Sequence, residues 1–158
     1  QTVPAVQALM LQLERAANAL LIPAPPNNID FGSTAHFLKM LETTSAELAR
    51  HGGERSYHFV KILASKMNDQ KSAHLAIKRM MDAVFPQDML QAVLKDSAEI
   101  DNATANLATV YELTGAATRT ETHRRCRAYL DAVGREVELL IRKCWPSHHK
   151  ALRKEGLL

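Results

Sequence analysis

The short apolar run Ala19-Leu20-Leu21-Ile22-Pro23 constrains the fold more than any other feature of this sequence. The run is closed by prolines and asparagines, in ALLIPAPPNN, and segments with a helical pattern lie on both sides of it. It is too brief for a helix, but it fits a buried strand. An apolar strand between helices is typical of a parallel sheet whose faces are covered by helices.

Helical and strand patterns alternate along most of the chain. Apolar residues at helical spacing predict helices over 4–17, 32–50 and 71–84, and apolar runs predict strands over 19–23, 57–64 and 89–94. A late apolar stripe predicts one long helix whose core face carries Cys126, Leu130, Val133, Val137, Leu140 and Cys144. The prediction is therefore an α/β fold with a partial parallel sheet of about three strands, flanking helices and a long C-terminal helix. Residues 1–158 read as a single α/β unit that ends in a basic tail over 145–158.

Functional loops of parallel sheets lie at the carboxyl ends of the strands, which here are residues 23–30, 65–70 and 95–103. The prolines of the first loop would keep it rigid. Ser33 or Thr34 could cap the helix that follows it.

Composition and cysteine usage narrow the class of protein. The 158 residues, 46% of them hydrophobic, suffice for one modest core, and no apolar run approaches the ~20 residues that span a bilayer. A cytoplasmic protein without membrane contact is the expectation. Cys126 and Cys144 would lie about 27 Å apart along one helix, too far for a mutual disulfide, and are expected to be buried thiols.

Positive charge is concentrated at the end of the chain. Residues 1–118 carry 10 Lys and Arg against 12 Asp and Glu, whereas residues 119–158 carry 10 against 5. Arg124, Arg135 and Arg142 fall on one side of the long helix, where a phosphate backbone could lie, although Asp131 and Glu138 each precede an arginine by four residues and could neutralise it. Three cations later in the chain have fewer acidic neighbours than these arginines, and they are the further candidates for nonspecific DNA contact: Lys150, Arg153 and Lys154.

Neither a metal site nor a catalytic nucleophile is predicted. Of the seven histidines only His148 and His149 are adjacent, and none has a Cys/His ligand spacing. Cys126 has no histidine and acid placed as a triad requires, so it is assigned to the core.

Four segments, in this order and spacing, carry a resemblance to a known family. They are RAANALLIP at 15–23, FVKILASKMND at 59–69, LKDSAEIDNA at 94–103 with TVYE at 109–112, and EVELLIRKCW at 136–145. Together they resemble the ParA class of deviant Walker partition ATPases, most closely its RepA-like plasmid-partition branch. The resemblance implies a P-loop NTPase-like fold of the ParA/MinD type.

The sequence departs from that family in one important way. It contains no Gly-x-x-x-x-Gly-Lys phosphate loop, and Gln1 stands where the family usually has an aspartate. The chain therefore resembles the carboxyl-terminal half of such a protein, and it is not expected to hydrolyse ATP alone. Whether it is a fragment or a natural short protein stays open.

The resemblance implies a role in plasmid or chromosome partition. Met67, Asn68, Asp96 and Ser97 would lie near the adenine and ribose of ATP, although ordinary helix-capping turns explain those loops equally well. A complete family protein would bind ATP and Mg²⁺ as a homodimer, bind DNA nonspecifically on the nucleoid, and respond to a centromere-binding partner. No cofactor is expected for this chain alone.

Two alternatives remain open from the sequence. One is a nonenzymatic regulator or interaction module that pairs with a full-length ParA-like protein through its exposed first strand. The other is a helical DNA-binding protein, which would require ALLIP and YHFVKILA to be helical.

Overall fold

The structure, a computed structural model, describes residues 18–51 and 57–156. The helix expected over 4–17 lies outside the described residues. The elements, in chain order, are strand β1 (Leu20–Ala24), helix α1 (Asn28–Arg50), strand β2 (Val60–Ala64), helix α2 (Ser72–Val84), helix α3 (Ala98–Ala105), a 3₁₀ turn (Gly115–Arg119), helix α4 (Glu121–Cys144) and helix α5 (Pro146–Lys154).

Strands β1 and β2 form a parallel pair. Their register runs from Leu20 opposite Val60 to Ala24 opposite Ala64. The two apolar runs are therefore strands, as the sequence predicts, and the all-helical alternative is wrong. The second strand is shorter than predicted because it begins at Val60.

The predicted third strand over 89–94 is not a regular strand. Residues 88–90 run parallel to β2, with the Ile62 amide donating to Asp88 O at 2.7 Å and the Leu90 amide donating to Ile62 O at 2.9 Å. In an unbroken ladder the next amide bonded to Ala64 O would be that of Ala92, but the Leu94 amide fills that place at 2.9 Å. Two extra residues thus bulge out of the pairing and interrupt the strand.

The carboxylate of Glu136 on α4 satisfies the amides that this bulge releases. Its Oε1 accepts from the Gln91 amide at 2.9 Å, and its Oε2 accepts from the Ala92 amide at 2.7 Å. Backbone amides removed from a ladder need other acceptors. Glu136 supplies both of them and thereby joins the long helix to the edge of the sheet.

The main core lies under β2 and the bulged segment. Buried side chains come from both strands, α2 and their loops, and Phe31 and Phe85 pack against them with ring centroids 5.8 Å apart; the buried members are Ala24, Ile62, Ala64, Met67, Met81 and Met89. A second cluster holds Ala103, Val110 and Cys126.

The apolar stripe of α4 is only partly buried. Cys126 is buried, whereas Leu130, Val133, Val137, Leu140 and Cys144 are half-buried. Both cysteines are free thiols on one helix, as predicted.

Two helix starts differ from the sequence prediction. Helix α1 begins at Asn28 because Asn27 caps it, with Oδ1 accepting from the Asp30 amide at 2.9 Å. Neither Ser33 nor Thr34 is the cap, and Thr34 is buried within the helix. The expected loop over 95–103 already contains the start of α3, which Ser97 caps.

The predicted basic tail is helical over most of its length. Helix α4 ends at Cys144, Trp145 follows, and α5 begins with a proline in its first turn. The Trp145 ring packs edge-on against His58, with centroids 4.8 Å apart. Across the described ranges, no helix is both long and apolar enough to cross a membrane.

We expect Glu136→Gln to lower the free energy of unfolding by about 1–3 kcal/mol, because one of the two bulge amides would lose its acceptor. Urea denaturation followed by circular dichroism measures this. Glu138→Gln is the matched control on the same helix, where loss of a half-exposed ion pair should cost at most about 1 kcal/mol. Equal effects of the two substitutions would contradict the proposed importance of the Glu136 contact.

Candidate functional site

A cleft of about 520 Å³ lies where the chain leaves β2 and the bulged segment, beneath the first half of α4. Its walls come from residues 67–70, from residues 95–99 and from α4. All four residues that the resemblance assigns to nucleotide binding line it: Met67, Asn68, Asp96 and Ser97.

The floor of the cleft is held by backbone pairing. The Met67 amide donates to Leu94 O at 3.1 Å, and the Asp96 amide donates to Met67 O at 2.9 Å. The Met67 side chain is buried in the main core. Met67 therefore mainly stabilises the floor of the cleft, and its side chain is not available to a ligand.

Asn68 sits in a tight turn with a strained neighbour. Its Oδ1 accepts from the Gln70 amide at 2.9 Å, and its own amide donates to His74 Nδ1 at 3.2 Å. Lys66, two residues earlier, has a φ of 51°, in the left-handed region that L residues adopt at a cost. Among the described residues the Asn68 side-chain NH₂ has no partner, so it could donate to a ligand.

Asp96 and Ser97 differ in what their side chains do. The Ser97 hydroxyl accepts from the Glu99 amide at 3.3 Å and so acts as the cap of α3. The Asp96 side chain is exposed and its carboxylate accepts no hydrogen bond from the described residues. Of the four predicted residues, Asn68 and Asp96 therefore keep side-chain atoms available for a ligand.

Helix α4 supplies a wall of the cleft that the sequence analysis missed. Its contributors recur at helical spacing on one face: Thr122, Arg125, Cys126 and Tyr129. The Thr122 hydroxyl donates to Glu99 Oε1 at 2.9 Å, which ties α4 to α3. The spacing was visible in the sequence, but nothing in the sequence places this face over the cleft.

The positive charges that line the cleft are compensated by carboxylates. Lys95 pairs with Asp69 across the floor, and Arg125 pairs with Glu121 at 3.1 Å. No three His, Cys, Asp or Glu side chains meet to hold a metal ion in the part of the chain that the structure describes. This chemistry suits hydrogen bonding to a neutral polar group better than binding of a triphosphate.

The predicted DNA-binding residues of α4 have different partners. Arg124 pairs with Glu121 at 2.8 Å, and Arg142 pairs with Glu138, as the spacing predicts. The predicted pairing of Asp131 with Arg135 is wrong. Arg135 Nε donates at 3.2 Å to the backbone carbonyl of Asp131 instead of to its carboxylate.

The Asp131 carboxylate is bound by a residue from another part of the chain. Tyr111 donates its hydroxyl to Asp131 Oδ1 at 2.5 Å. This hydrogen bond, with partial burial and the adjacent carboxylate charge, raises the pKa of Tyr111. The Arg127 guanidinium lies over the Tyr111 ring, 5.1 Å from its centroid.

The remaining DNA-binding candidates lie on α5. Lys150, Arg153 and Lys154 are exposed. Within residues 18–51 and 57–156 none of them has an ion-pair partner, so their charges are free to meet a polyanion.

Comparison with known proteins finds similarity both in sequence and in structure. No protein-family model matches the chain. A protein of Rhizobium rhizogenes named "Putative replication protein A" is 21% identical over 142 residues, which are 90% of this chain and 35% of that protein. A solved structure titled "Partition Protein" is 24% identical and has a TM-score of 0.54, over 86% of this chain and 34% of that chain. This chain thus spans about a third of the length of each, and the structural similarity shows that it has the fold of part of that solved protein.

We expect the raised pKa of Tyr111 to be visible in a spectrophotometric titration. Subtracting the titration of Tyr111→Phe from that of the parent should leave a curve whose midpoint lies above the ordinary tyrosine value of about 10. Because the pKa of Tyr111 is raised in the folded state, its hydrogen bond to Asp131 stabilises the fold fully below the ordinary tyrosine pKa. That contribution to the free energy of unfolding is lost as pH rises through the raised pKa. In Asp131→Asn the midpoint should return toward the ordinary value. A parent midpoint at or below it would contradict the Tyr111–Asp131 hydrogen bond.

Proposed function

We propose that this chain acts in DNA partition as part of a ParA-type protein, in which it supplies the base side of an ATP site and a surface for nonspecific DNA. The observation that carries the proposal is the cleft, which gathers Asn68, Asp96 and Ser97 at the carboxyl end of the parallel strand pair. Ligand sites of α/β sheets lie at that end. The similarity to part of the fold of a solved partition protein supports the same role.

The cleft fits the base and ribose of a nucleotide. The Asn68 side-chain NH₂ can donate and the Asp96 carboxylate can accept, which matches the hydrogen-bonding edge of a base and the hydroxyls of a ribose. Lys95 and Arg125 are already paired with carboxylates, so they do not form a phosphate-binding cluster. The phosphates and Mg²⁺ of ATP would be held by other residues of a complete homodimeric protein.

The DNA surface in this proposal runs along α4 and α5. Arg135 would contribute from α4 with an unpaired charge, whereas Arg124 and Arg142 would contribute less because Glu121 and Glu138 already pair with them. The three cations of α5 would add uncompensated charge. Contacts of this kind bind phosphates without reading sequence. A protein that binds this way would associate with the nucleoid and could be directed to its cargo by a centromere-binding partner.

The exposed edge of β1 favours a second candidate, a regulator that pairs with a full-length relative. Among the described residues β1 pairs with β2 on one side, and its other edge has no partner strand. Such an edge can accept a strand from another chain. Binding to a full-length relative without nucleotide, together with no binding of nucleoside by this chain, would favour this candidate.

We expect the chain to bind adenosine and ATP weakly and with similar affinity, because only base and ribose would touch the cleft. Asn68→Ala and Asp96→Ala should each weaken binding about fivefold or more, as loss of a hydrogen bond predicts. Chemical-shift titration by NMR measures the affinities. Asp101→Ala on the exposed face of α3, outside the cleft, is the control.

A much tighter affinity for ATP than for adenosine would contradict this arrangement. So would ATP hydrolysis by the purified chain above a contamination control, because the sequence contains no glycine-lysine phosphate loop.

We expect duplex DNA binding to be independent of sequence and to weaken steeply with salt. Changing Lys150, Arg153 and Lys154 to glutamate should weaken binding about tenfold or more. The salt slope, which is the steepness with which the logarithm of the binding constant falls with the logarithm of salt concentration, should decrease by up to about 2.7, or about 0.9 for each phosphate contact. The single tryptophan, Trp145, precedes α5, so its fluorescence can report the titration.

A triple variant with the same change in net charge serves as the control for this experiment. It replaces Arg50, Lys71 and Arg79, exposed residues outside α4 and α5, with glutamate. Equal losses in the two triple variants would mean that only net charge matters. Unchanged binding after the α5 reversal would exclude α5 as the DNA surface.

A further inference from the structure

Three charged residues of α4 lie on one ridge of the helix. Arg127, Asp131 and Arg135 follow one another at intervals of four residues, so each stands one turn from the next. A carboxylate four residues before an arginine is the favourable order for an intrahelical ion pair. The sequence alone would therefore have Asp131 neutralise Arg135.

In the structure Asp131 contacts Tyr111, a residue from outside the helix, and not the Arg135 guanidinium. The Tyr111 hydroxyl donates to the Asp131 carboxylate at 2.5 Å, and Arg135 keeps only the backbone carbonyl of Asp131. The Tyr111 ring also lies beneath the Arg127 guanidinium at 5.1 Å, a distance typical of a cation–π contact. One tyrosine thus contacts both Arg127 and the carboxylate between the two arginines.

The position of Tyr111 is fixed by its neighbour in the chain. Val110 is 4% exposed, and its carbonyl lies 3.1 Å from Nε2 of the buried His123 on α4. Glu112, on the other side, turns its carboxylate to the Thr109 amide at 2.7 Å. The loop is therefore docked on α4, and Glu112 is engaged within the loop.

The other three arginines of α4 are paired with carboxylates. Arg124 and Arg125 share Glu121, and Arg142 pairs with Glu138. Arg127 and Arg135 have no carboxylate partner among the described residues. Both are exposed, and both lie next to Tyr111 or to the aspartate that it binds.

We propose that Tyr111 is a positioning residue that withholds the Asp131 carboxylate from Arg135, and so leaves Arg127 and Arg135 to bind phosphates of duplex DNA. Arg127 becomes a DNA contact that the family resemblance does not assign. The choice of DNA as the ligand rests on the proposed function, whereas the effect of Tyr111 on Arg135 does not. Two arginines that stand two turns apart on the solvent-facing ridge of α4 suit a polyanion with many phosphates.

The decisive variant is Tyr111→Phe, which keeps the ring beneath Arg127 and removes only the hydroxyl. Asp131 is then free to pair with Arg135, and one phosphate contact is lost. Binding of random-sequence duplex DNA at about 0.1 M salt should weaken about fivefold, and the salt slope should fall by about 0.9. Fluorescence anisotropy of labelled DNA measures both quantities.

The Asp131→Asn background separates this positioning role from a merely structural one. With no carboxylate left to capture Arg135, adding Tyr111→Phe should leave both the affinity and the salt slope of D131N unchanged. Arg135→Gln should weaken binding as Tyr111→Phe does, and the two effects should not add, whereas the effect of Arg127→Gln should add to that of Tyr111→Phe. A loss that persists in the D131N background, or full affinity and slope in Tyr111→Phe, would overturn the proposal.

A measurement without DNA keeps this inference distinct from the proposed function. NMR of arginine side chains should show that the Arg135 guanidinium, held in the parent by one hydrogen bond to the Asp131 carbonyl, becomes more restricted in Tyr111→Phe. If the parent does not bind DNA, the DNA part of the proposal fails and the NMR result alone decides the effect of Tyr111 on Arg135. An Arg135 side chain that is equally mobile in both proteins would overturn that effect.

Discussion

The contact between Glu136 and the bulge at Gln91 and Ala92 is the constraint on which much of this structure depends. The bulge takes two amides out of the pairing with β2, and such amides need acceptors if the segment is to stay against the sheet. Glu136 provides both acceptors from the middle of α4. The same contact therefore holds the long helix beside the sheet and shapes the segment that leads to Lys95 and Asp96 in the cleft. A regular third strand would leave this carboxylate without its two donors.

Helix α4 forms part of two different surfaces because its faces have different neighbours. The face with Thr122 and Cys126 closes the cleft, and the ridge with Arg127 and Arg135 lies in solvent. Between them, the half-buried apolar stripe packs toward the interior. A helix of 24 residues measures about 36 Å, long enough to reach from the cleft to α5. One element thus carries the wall of the proposed nucleotide site and part of the proposed DNA surface.

Local sequence patterns predicted those strands and helices whose formation depends mainly on the residues within them. The strands at Leu20–Ala24 and Val60–Ala64 followed from short apolar runs between helical patterns, and α2 and α4 followed from helical spacing. The bulge could not be predicted, because an apolar run gives no sign that two of its amides will bond to a glutamate 45 and 44 residues away. The start of α1 was predicted too late because the sequence offers more than one residue that can cap a helix. Asn27, directly after two prolines, is the cap, and Ser33 lies inside the helix. The α4 wall of the cleft was missed because its placement depends on tertiary contacts such as that of Thr122 with Glu99.

Asp131 shows why charge patterns on a helix are an incomplete guide to a binding surface. The same spacing rule predicted two ion pairs, and Glu138 with Arg142 obeys it because no other donor reaches that carboxylate among the described residues. Asp131 departs from it because a tyrosine 20 residues earlier in the chain is docked beside it. The Tyr111 hydroxyl is neutral, so it can donate to the Asp131 carboxylate without any arginine being paired. The guanidinium of Arg135 then remains available to another anionic ligand. Whether an arginine on such a helix is available to phosphate therefore depends on tertiary contacts of the acid next to it, and only the fold supplies that information.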